Sequence, residues 1–427
     1  MTHRDALSAL ATAALLVTAC GPKEPPAPPP TATPTAEQAA EEGAKEAVAC
    51  NYIVLIDAGS TGSRAYTYQI EAAEDGGVPT LTQLSSAKVE PGLSSFKGEP
   101  DKAAGSIAGL LTQADSALDK LPDACEAKTP AALMATAGMR LLEGEDGGDA
   151  AASAIYTAVT DAVRDTGLDL RFAGTISGQQ EGLYTWIAAN YALGNLQSGA
   201  PTVGALDLGG ASAQIAFAPE GGAGASATLK FGDATFPVYA HSYLGYGLEQ
   251  AIKYVADDAC FPKGLNKGKG KFATCVKKLA PVVKPESCAG DSCGLAQPGD
   301  SNKAGVAQPK IPAEMKFYAS TNFAYTHDFL RPAADTPAAL AEAAGGPKGT
   351  AGFCATKWKD IQAAHSDQQP EHLENYCFSA GWITVLLDTL GFADDSAQIT
   401  WSNQVGDHEA GWAVGAALCS VTGCLSG

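Results

Sequence analysis

Cationic side chains are scarce in this chain. Its 427 residues include 28 lysines and arginines against 47 aspartates and glutamates, which gives a formal net charge of −19 at pH 7. Such a chain repels nucleic acid and anionic membrane surfaces at long range, so we expect no nucleic-acid partner. The acidity favours solubility. A small anionic substrate would require a metal ion and N–H donors that reverse the field inside its site.

The N-terminal apolar run is too short to span a membrane. His3 and Arg4 precede an apolar stretch from Ala6 to Val17, and residues 16–21 read LVTACG. This ending resembles a bacterial lipobox, in which the cysteine becomes the acylated first residue of the mature protein. We therefore predict lipidation at Cys20 and an outer-membrane lipoprotein that faces the periplasm or the cell surface. An ordinary cleaved signal peptide is the alternative.

A stiff spacer follows the predicted signal peptide of residues 1–20. Residues 21–36 are dense in proline, which cannot pack into a core and favours an extended chain. The next residues are rich in alanine and glutamate. We assign residues 21–49 to this linker and expect the folded body to begin near Cys50.

The chain lacks the ligand spacing of a zinc site. No CxxC pair occurs, and the six histidines are scattered. Of its 11 cysteines, all but Cys20 can pair, and an even number in an exported chain favours disulfides. Proximity along the chain suggests five pairs, although spacing alone does not fix the connectivity. They are Cys288–Cys293, Cys419–Cys424, Cys260–Cys275, Cys354–Cys377 and, as the remainder, Cys50–Cys125.

Two segments of the chain are nearly the same. Residues 53–64 read IVLIDAGSTGSR and residues 203–214 read VGALDLGGASAQ. In each, an apolar run ends at an aspartate, Asp57 or Asp207, and a turn of small residues follows. A carboxylate at the end of a buried strand can hold a metal ion, and the N–H groups of the turn can bind phosphate oxygens. The duplication predicts a phosphate-handling enzyme whose site lies between two similar domains.

Two further segments lie between these repeats. Residues 133–140, LMATAGMR, predict a strand, a turn that can donate N–H groups to a terminal phosphate, and a helix. Residues 175–191 predict a strand followed by an amphipathic helix with Leu183, Trp186 and Ile187 in the core. Glu181 lies near the start of that helix. A carboxylate there suits the helix dipole, but the flanking aspartate loops favour a catalytic role.

Taken in order, five segments resemble the apyrase conserved regions of nucleoside triphosphate diphosphohydrolases. They are residues 57–64, 135–140, 177–191, 205–214 and 376–387. Residues 239–247 and 411–415 also match, so the resemblance runs from about Cys50 to the C-terminus. It implies an α/β fold of two actin-like, ribonuclease-H-like domains with the active site in the cleft between them. We place domain I at residues 50–177 plus 396–427 and domain II at residues 178–395.

The resemblance also implies roles for individual residues. Asp57 and Asp207 would hold Ca²⁺ or Mg²⁺ through water molecules, and Glu181 would be the general base for the attacking water. Ser212 and Gln214 would orient that water. The phosphates would be contacted by Ser60, Thr61, Gly62, Thr136, Ala137, Gly210 and Ser212. The nucleobase would lie between aromatic groups that include Tyr325 and Tyr376, with His372 where some relatives have a stacking arginine.

These features predict a membrane-tethered, metal-dependent apyrase that hydrolyses nucleoside tri- and diphosphates, converting ATP and ADP to AMP and phosphate. An exopolyphosphatase shares the paired aspartate loops and the Ser-Gly…Glu segment, and is the first alternative. The second is a surface lipoprotein that binds nucleotides without catalysis. The aromatic pattern of Tyr184, Trp186 and Tyr191 favours the apyrase, and Glu181 with Gln214 argues against simple binding, which needs no water-activating pair.

Overall fold

The computed structural model describes residues 51–73, 76–118, 129–288, 292–347, 350–405, 408–409 and 411–425. These residues belong to one structural unit, Val48–Gly427. The predicted signal peptide and linker, the lipidation site Cys20 and the Cys50–Cys125 pair lie outside the described residues.

The first sheet has five strands in the order β3-β2-β1-β4-β5. These are β1 (Tyr52–Ala58), β2 (Ser63–Glu71), β3 (Thr80–Val89), β4 (Pro130–Ala135) and β5 (Asp169–Thr175). Central β1 is buried on both faces, which is why its sequence is continuously apolar rather than alternating. Its residues Val54 and Ile56 face three helices that cover one side of the sheet. These are α1 (Pro100–Leu118), α2 (Ala137–Glu143) and α3 (Gly148–Arg164).

The second sheet has six strands in the order β14-β13-β6-β7-β9-β8. These are β6 (Gly204–Leu208), β7 (Ser212–Phe217), β8 (Ala227–Phe231), β9 (Ala234–Leu244), β13 (Phe317–Thr321) and β14 (Ile399–Trp401). Leu206 and Leu208 pack with Phe378 and Trp382 on one side of this sheet.

The two sheets repeat one arrangement, as the duplicated segments predict. In the first, β1 pairs antiparallel with β2 and parallel with β4. In the second, β6 pairs antiparallel with β7 and parallel with β13. Asp57 lies opposite Arg64 and Asp207 lies opposite Gln214, so the two hairpins have the same register. The predicted two-domain actin-like fold is confirmed.

Helix α4 (Gly178–Ala192) packs against β6, β7 and β9 of the second sheet and against α11 (Trp412–Thr422), which in turn contacts β1 of the first sheet. One apolar cluster joins residues of both sheets, such as Leu55 and Ala216, through these two helices. The prediction that α4 is amphipathic is wrong, because every residue from Glu181 to Asn190 is buried. A helix covered by the second sheet and by α11, with Tyr191 hydrogen-bonded to Leu81 of β3, has no broad solvent face.

The remaining elements complete the second half of the chain. Its other helices are α5 (Leu248–Val255), α6 (Phe272–Val283), α7 (Asn322–Leu330), α8 (Pro337–Gly345), α9 (Trp358–Ala364) and α10 (Pro370–Leu390). Its minor strands are β10 (Ser287–Cys288), β11 (Cys293–Ala296), β12 (Ala304–Ala307), β15 (Gln404–Val405) and β16 (His408–Glu409). Short 3₁₀ helices span Glu220–Gly222, Asp258–Cys260 and Phe353–Ala355, and one in the first half of the chain spans Leu93–Phe96.

Four of the predicted disulfides are confirmed. They are Cys260–Cys275, Cys288–Cys293, Cys354–Cys377 and Cys419–Cys424. Near the C-terminus, β14 joins the second sheet and α11 packs on α4. The boundaries of the two domains stay a prediction. Within the described ranges, no helix is long and apolar enough to cross a membrane.

Candidate active site

Asp57 is a buried carboxylate at the end of β1. Its Oδ1 has no hydrogen-bond partner among the described residues, and its Oδ2 lies 4.0 Å from Arg64 Nη1. Burial raises the pKa of Asp57 to about 7; Arg64 opposes this shift, whereas the negative charges of Glu181 and Asp207 add to it. An unpartnered buried oxygen beside other carboxylates is the environment in which a divalent cation is favoured.

Asp207 holds the equivalent position on β6 and is also buried. Its Oδ1 accepts hydrogen bonds from Thr321 Oγ1 at 2.6 Å and, over a longer distance, from Ser320 Oγ at 3.4 Å. Burial raises the pKa of Asp207, and these two hydroxyl groups oppose the shift. Asp207 is therefore held in place by protein donors on one oxygen, unlike Asp57.

The turns that follow the two aspartates face each other. A Cβ placed on Gly210 would lie only 2.6 Å from Ser60 Oγ, and one placed on Gly138 would lie 2.9 Å from Ser60 Cα. The first turn, the second turn and the start of α2 therefore meet around Ser60. The predicted phosphate contacts Ser60, Thr61 and Gly62, and Gly210 with Ser212, belong to these two opposed turns.

Thr136 and Ala137 lie where β4 passes into α2, next to the first turn. The N–H of Thr136 donates to Ala58 O at 3.2 Å, and its side chain makes no helix-capping hydrogen bond. Its backbone donor is thus engaged, and its buried hydroxyl is the group left for a phosphate contact.

Glu181 lies in the first turn of α4 and is only 6% exposed. Ser177 and Gln180 form a capping box that fixes this end of the helix. Arg140 Nη2 donates to Glu181 Oε2 at 2.6 Å, and Arg140 Nη1 donates to Ile176 O at 3.0 Å. Burial raises the pKa of Glu181, and the guanidinium of Arg140 opposes that shift. The carboxylate is thus rigidly placed.

Ser212 and Gln214 lie beside this ion pair. Gln214 Nε2 donates to Ser212 Oγ at 2.6 Å and to Ser242 Oγ at 3.0 Å, and Arg140 Nη2 lies 3.4 Å from Ser212 Oγ. Gln214 Oε1 is buried without a hydrogen-bond partner among the described residues. Arg140 thus links Glu181 with Ser212, and Ser212 links this pair with Gln214.

The predicted base-binding residues lie on α7 and α10. Tyr376 stacks on Phe329, with ring centroids 3.8 Å apart and an interplanar angle of 5°. Tyr325, one helical turn before Phe329, is 52% exposed. Burial raises the pKa of Tyr376, and the nearby Tyr325 adds to this shift. Tyr325 also lies close to Arg64. The two tyrosines are therefore neighbours, and an exposed aromatic surface lies near the first hairpin.

Four residues of this neighbourhood were not assigned a role from sequence: Arg140, Ser242, Thr321 and Phe329. Arg140 and Ser242 fall inside segments that carry the resemblance, so position within a motif was the available signal. No local sequence signal marks Thr321 and Phe329, because β-strand pairing and ring stacking bring them to the site. Among the described residues, no group of three or more His, Cys, Asp or Glu side chains forms a self-sufficient metal site.

Comparison with known proteins identifies the arrangement. Residues 44–263 and 257–424 match the sequence model of the GDA1/CD39 (nucleoside phosphatase) family. The chain belongs to this family. It is therefore a nucleoside phosphate hydrolase of the nucleoside triphosphate diphosphohydrolase type, and the predicted family is confirmed.

Individual relatives agree over most of the chain. The protein is 31% identical to ectonucleoside triphosphate diphosphohydrolase 8 of Bos taurus, over 85% of this chain and 81% of the relative. It is 32% identical to probable apyrase 6 of Arabidopsis thaliana, over 86% of this chain and 71% of the relative. The crystal structure of nucleoside triphosphate hydrolases from Neospora caninum shares the fold, with a TM-score of 0.57, 15% identity and coverage of 86% and 92%.

Proposed function

We propose that this nucleoside phosphatase hydrolyses nucleoside tri- and diphosphates to monophosphates in a reaction that depends on Ca²⁺ or Mg²⁺. The observation that supports this most directly is the cluster of Glu181, Ser212 and Gln214 beside two opposed aspartate hairpins. Phosphoryl transfer depends on in-line positioning and on neutralising charge, and this cluster offers a base, polar groups for a water molecule and a cation site.

The residues at the ends of β1 and β6 fit a hard divalent cation. Asp57 and Asp207 bring two carboxylates with raised pKa values, and Asp57 Oδ1 is an unsatisfied acceptor. Two carboxylates suit Mg²⁺, which usually keeps several water ligands and shares substrate phosphates rather than entering an all-protein cage. When bound, the cation would neutralise charge on the phosphates.

Glu181 is the proposed general base. Burial raises the pKa of Glu181, and its ion pair with Arg140 opposes that shift and orients the carboxylate. Gln214 Oε1 can accept a hydrogen bond from the attacking water, and Ser212 Oγ lies next to it. Glu181 removes the proton of that water as the water oxygen bonds to the terminal phosphorus. The bond from that phosphorus to the bridging oxygen breaks, so that phosphate and the nucleotide shortened by one phosphate leave.

The opposed turns are the proposed phosphate-binding site. Ser60, Thr61 and Gly62 act from the first sheet, Gly210 and Ser212 from the second, and Thr136 with Ala137 from the start of α2. The close approach of Ser60 and Gly210 supports simultaneous contact with one phosphate chain. Tyr325 and Tyr376 are the proposed base contacts, and the stacking of Phe329 on Tyr376 makes that side a continuous aromatic surface.

We propose further that Cys20 carries lipid and tethers the enzyme to the outer membrane, facing the periplasm or the cell surface. This proposal rests on the sequence of residues 1–36. The proline-rich spacer would separate the catalytic unit from the lipid surface.

The test is phosphate release from purified protein given ATP, ADP, AMP or polyphosphate, with Mg²⁺, with Ca²⁺ or with a chelator. We expect release from ATP and ADP, AMP as the end product, and loss of activity with the chelator. Release from polyphosphate alone would favour the exopolyphosphatase. Nucleotide binding without release under any condition would favour the non-catalytic lipoprotein.

A further inference from the structure

Thr321, the last residue of β13, has an unusual backbone. Its φ is 55° and its ψ is −125°. Four residues other than glycine have positive φ within the described part of the chain, and Thr321 is the only β-branched one among them. A β-branched side chain seldom adopts this conformation, because its Cβ substituents crowd the backbone. Such a conformation persists where its surroundings fix it, and outliers of this kind concentrate at functional sites.

Hydrogen bonds on both sides fix Thr321. Its N–H donates to Asn403 Oδ1 at 2.6 Å, and its Oγ1 accepts from the N–H of Leu208 at 3.0 Å. The hydroxyl has one proton to donate, and its shortest acceptor is Asp207 Oδ1 at 2.6 Å. Asn403, Thr321 and Asp207 thus form a continuous chain of contacts that ends on a carboxylate of the site.

The two aspartates differ in the hydrogen bonds that their carboxylate oxygens accept. Asp57 Oδ1 lacks a hydrogen-bond partner among the described residues, although the two hairpins share one register. Ser320 also lies near Asp207, but its Oγ is 3.4 Å from Oδ1 and 3.2 Å from Leu206 O. Thr321 therefore supplies the short contact that orients Asp207, and Ser320 supplies only a long one.

We propose that Thr321 is a positioning residue for the divalent cation: its hydroxyl orients Asp207, and Asn403 holds the strained backbone that aims this hydroxyl. The inference rests on the proposed function, since it assigns Asp207 to the cation. The strained conformation places the hydroxyl on Asp207 Oδ1 and so fixes the direction of the carboxylate that would face the cation or its water shell.

The test measures cation affinity directly. Calorimetric titration with Mg²⁺, in the presence of a non-hydrolysable nucleotide, compares the wild type with Thr321→Val, which keeps the branched shape and removes the hydroxyl. We expect affinity for the cation to fall about 10- to 100-fold, the usual effect of losing a partner of a metal ligand. Thr321→Ser should restore most of it. Ser320→Ala is the matched control and should change it less than about threefold, since it removes only a long contact.

Kinetics separate positioning from general damage. In Thr321→Val the Mg²⁺ concentration needed for half-maximal rate should rise with the dissociation constant, while kcat at saturating Mg²⁺ recovers to within a few-fold of wild type. Cation affinity equal to wild type in Thr321→Val would overturn the inference, as would an equal loss in Ser320→Ala.

If Thr321→Val does not fold, as judged by circular dichroism, the cation affinity of Asn403→Ala is compared with that of the wild type instead. It removes the backbone anchor and keeps the hydroxyl, and unchanged cation affinity there would also overturn the inference. A wild-type protein that neither binds Mg²⁺ nor hydrolyses nucleotides would instead overturn the proposed function.

Discussion

Glu181 is subject to two opposing influences. Burial raises its pKa and favours the neutral acid, which cannot accept a proton, whereas the ion pair with Arg140 at 2.6 Å favours the carboxylate. Buried ion pairs add little net stability but hold geometry well, because breaking one leaves an uncompensated charge. Arg140 is thus the group that favours the charged form of the proposed base and fixes its direction.

Replacing Glu181 with glutamine should therefore separate catalysis from binding. The amide has nearly the same shape but cannot accept the proton of the attacking water. We expect kcat to fall about 10²- to 10⁴-fold, the usual contribution of a general base, while a non-hydrolysable nucleotide binds within a few-fold of wild type. Single-turnover phosphate release and calorimetry measure the two quantities. Turnover close to that of the wild type would eliminate Glu181 as the base.

Asp57 should make the metal-free protein less stable as the pH rises. Its pKa is about 7 in the folded state against 3.8 in the unfolded chain, so between these values the folded state binds a proton that the unfolded state has released. Stability is then lost as the pH rises through this range, by an amount on the order of a few kcal/mol.

The check is thermal unfolding with a chelator at pH 5 and pH 8. At pH 8, Asp57→Asn should have a higher melting temperature than the wild type. Its melting temperature should also change less between pH 5 and pH 8. The pH dependence that remains comes from Asp207 and Glu181, whose pKa values are also raised. Adding Mg²⁺ should stabilise the wild type at pH 8 and not the variant. Identical pH dependence in the two proteins would contradict the assignment.

At the scale of elements, sequence predicts what is local. The two hairpins were recognisable because each is a continuous apolar strand, an aspartate and a turn of small residues. Four disulfides were predicted from proximity along the chain. Thr321 and Phe329 were not assigned, since β13 and α7 reach the site through contacts between distant segments. The contact of Asp207 with Thr321 follows from the parallel register of β6 and β13, which no local pattern encodes.

Helix α4 shows why a periodic pattern can mislead. Its large apolar residues recur at helical spacing, which predicts one buried face and one exposed face. The other face is also buried, because small and satisfied polar residues occupy it. Gly182 lies against Gln214, and Asn190 is fully hydrogen-bonded to Trp186 O, Val203 O and the N–H of Val203.

The contact between α4 and α11 should be sensitive to a single methyl group. A Cβ on Gly415 would lie 2.0 Å from Tyr184 O, so Gly415→Ala must push α11 away from the helix that carries Glu181. We expect a loss of about 1–3 kcal/mol in the free energy of unfolding, measured with urea, together with reduced activity.

The matched control for that variant is Gly109→Ala on the exposed side of α1. Among the described residues, no atom outside the neighbouring helix backbone lies within 4 Å of a Cβ there. Because alanine also favours a helix, this variant should be neutral or stabilised by up to about 1 kcal/mol. Equal effects of the two substitutions would refute the close-packing argument.

At the scale of the whole molecule, the fold brings opposite halves of the chain to one site. Asp57 and Arg140 come from the first sheet and its helices, and Asp207, Ser212 and Gln214 come from the second. The net charge of −19 opposes the approach of an anionic nucleotide. Local groups must overcome this field. The groups available are Arg64, Arg140, the N–H donors of the opposed turns and the proposed divalent cation.

The last prediction concerns attachment to the membrane. Cys20→Ser should move active enzyme from the membrane fraction to the soluble fraction, because each buried CH₂ of an acyl chain contributes about 0.8 kcal/mol to membrane binding. The site residues all follow Cys50, so kcat should not change. Mass spectrometry of the N-terminus must accompany the fractionation, since an unprocessed apolar segment could itself hold the protein on lipid. A wild-type protein that is soluble and carries no acyl group would show that residues 1–20 are a plain signal peptide.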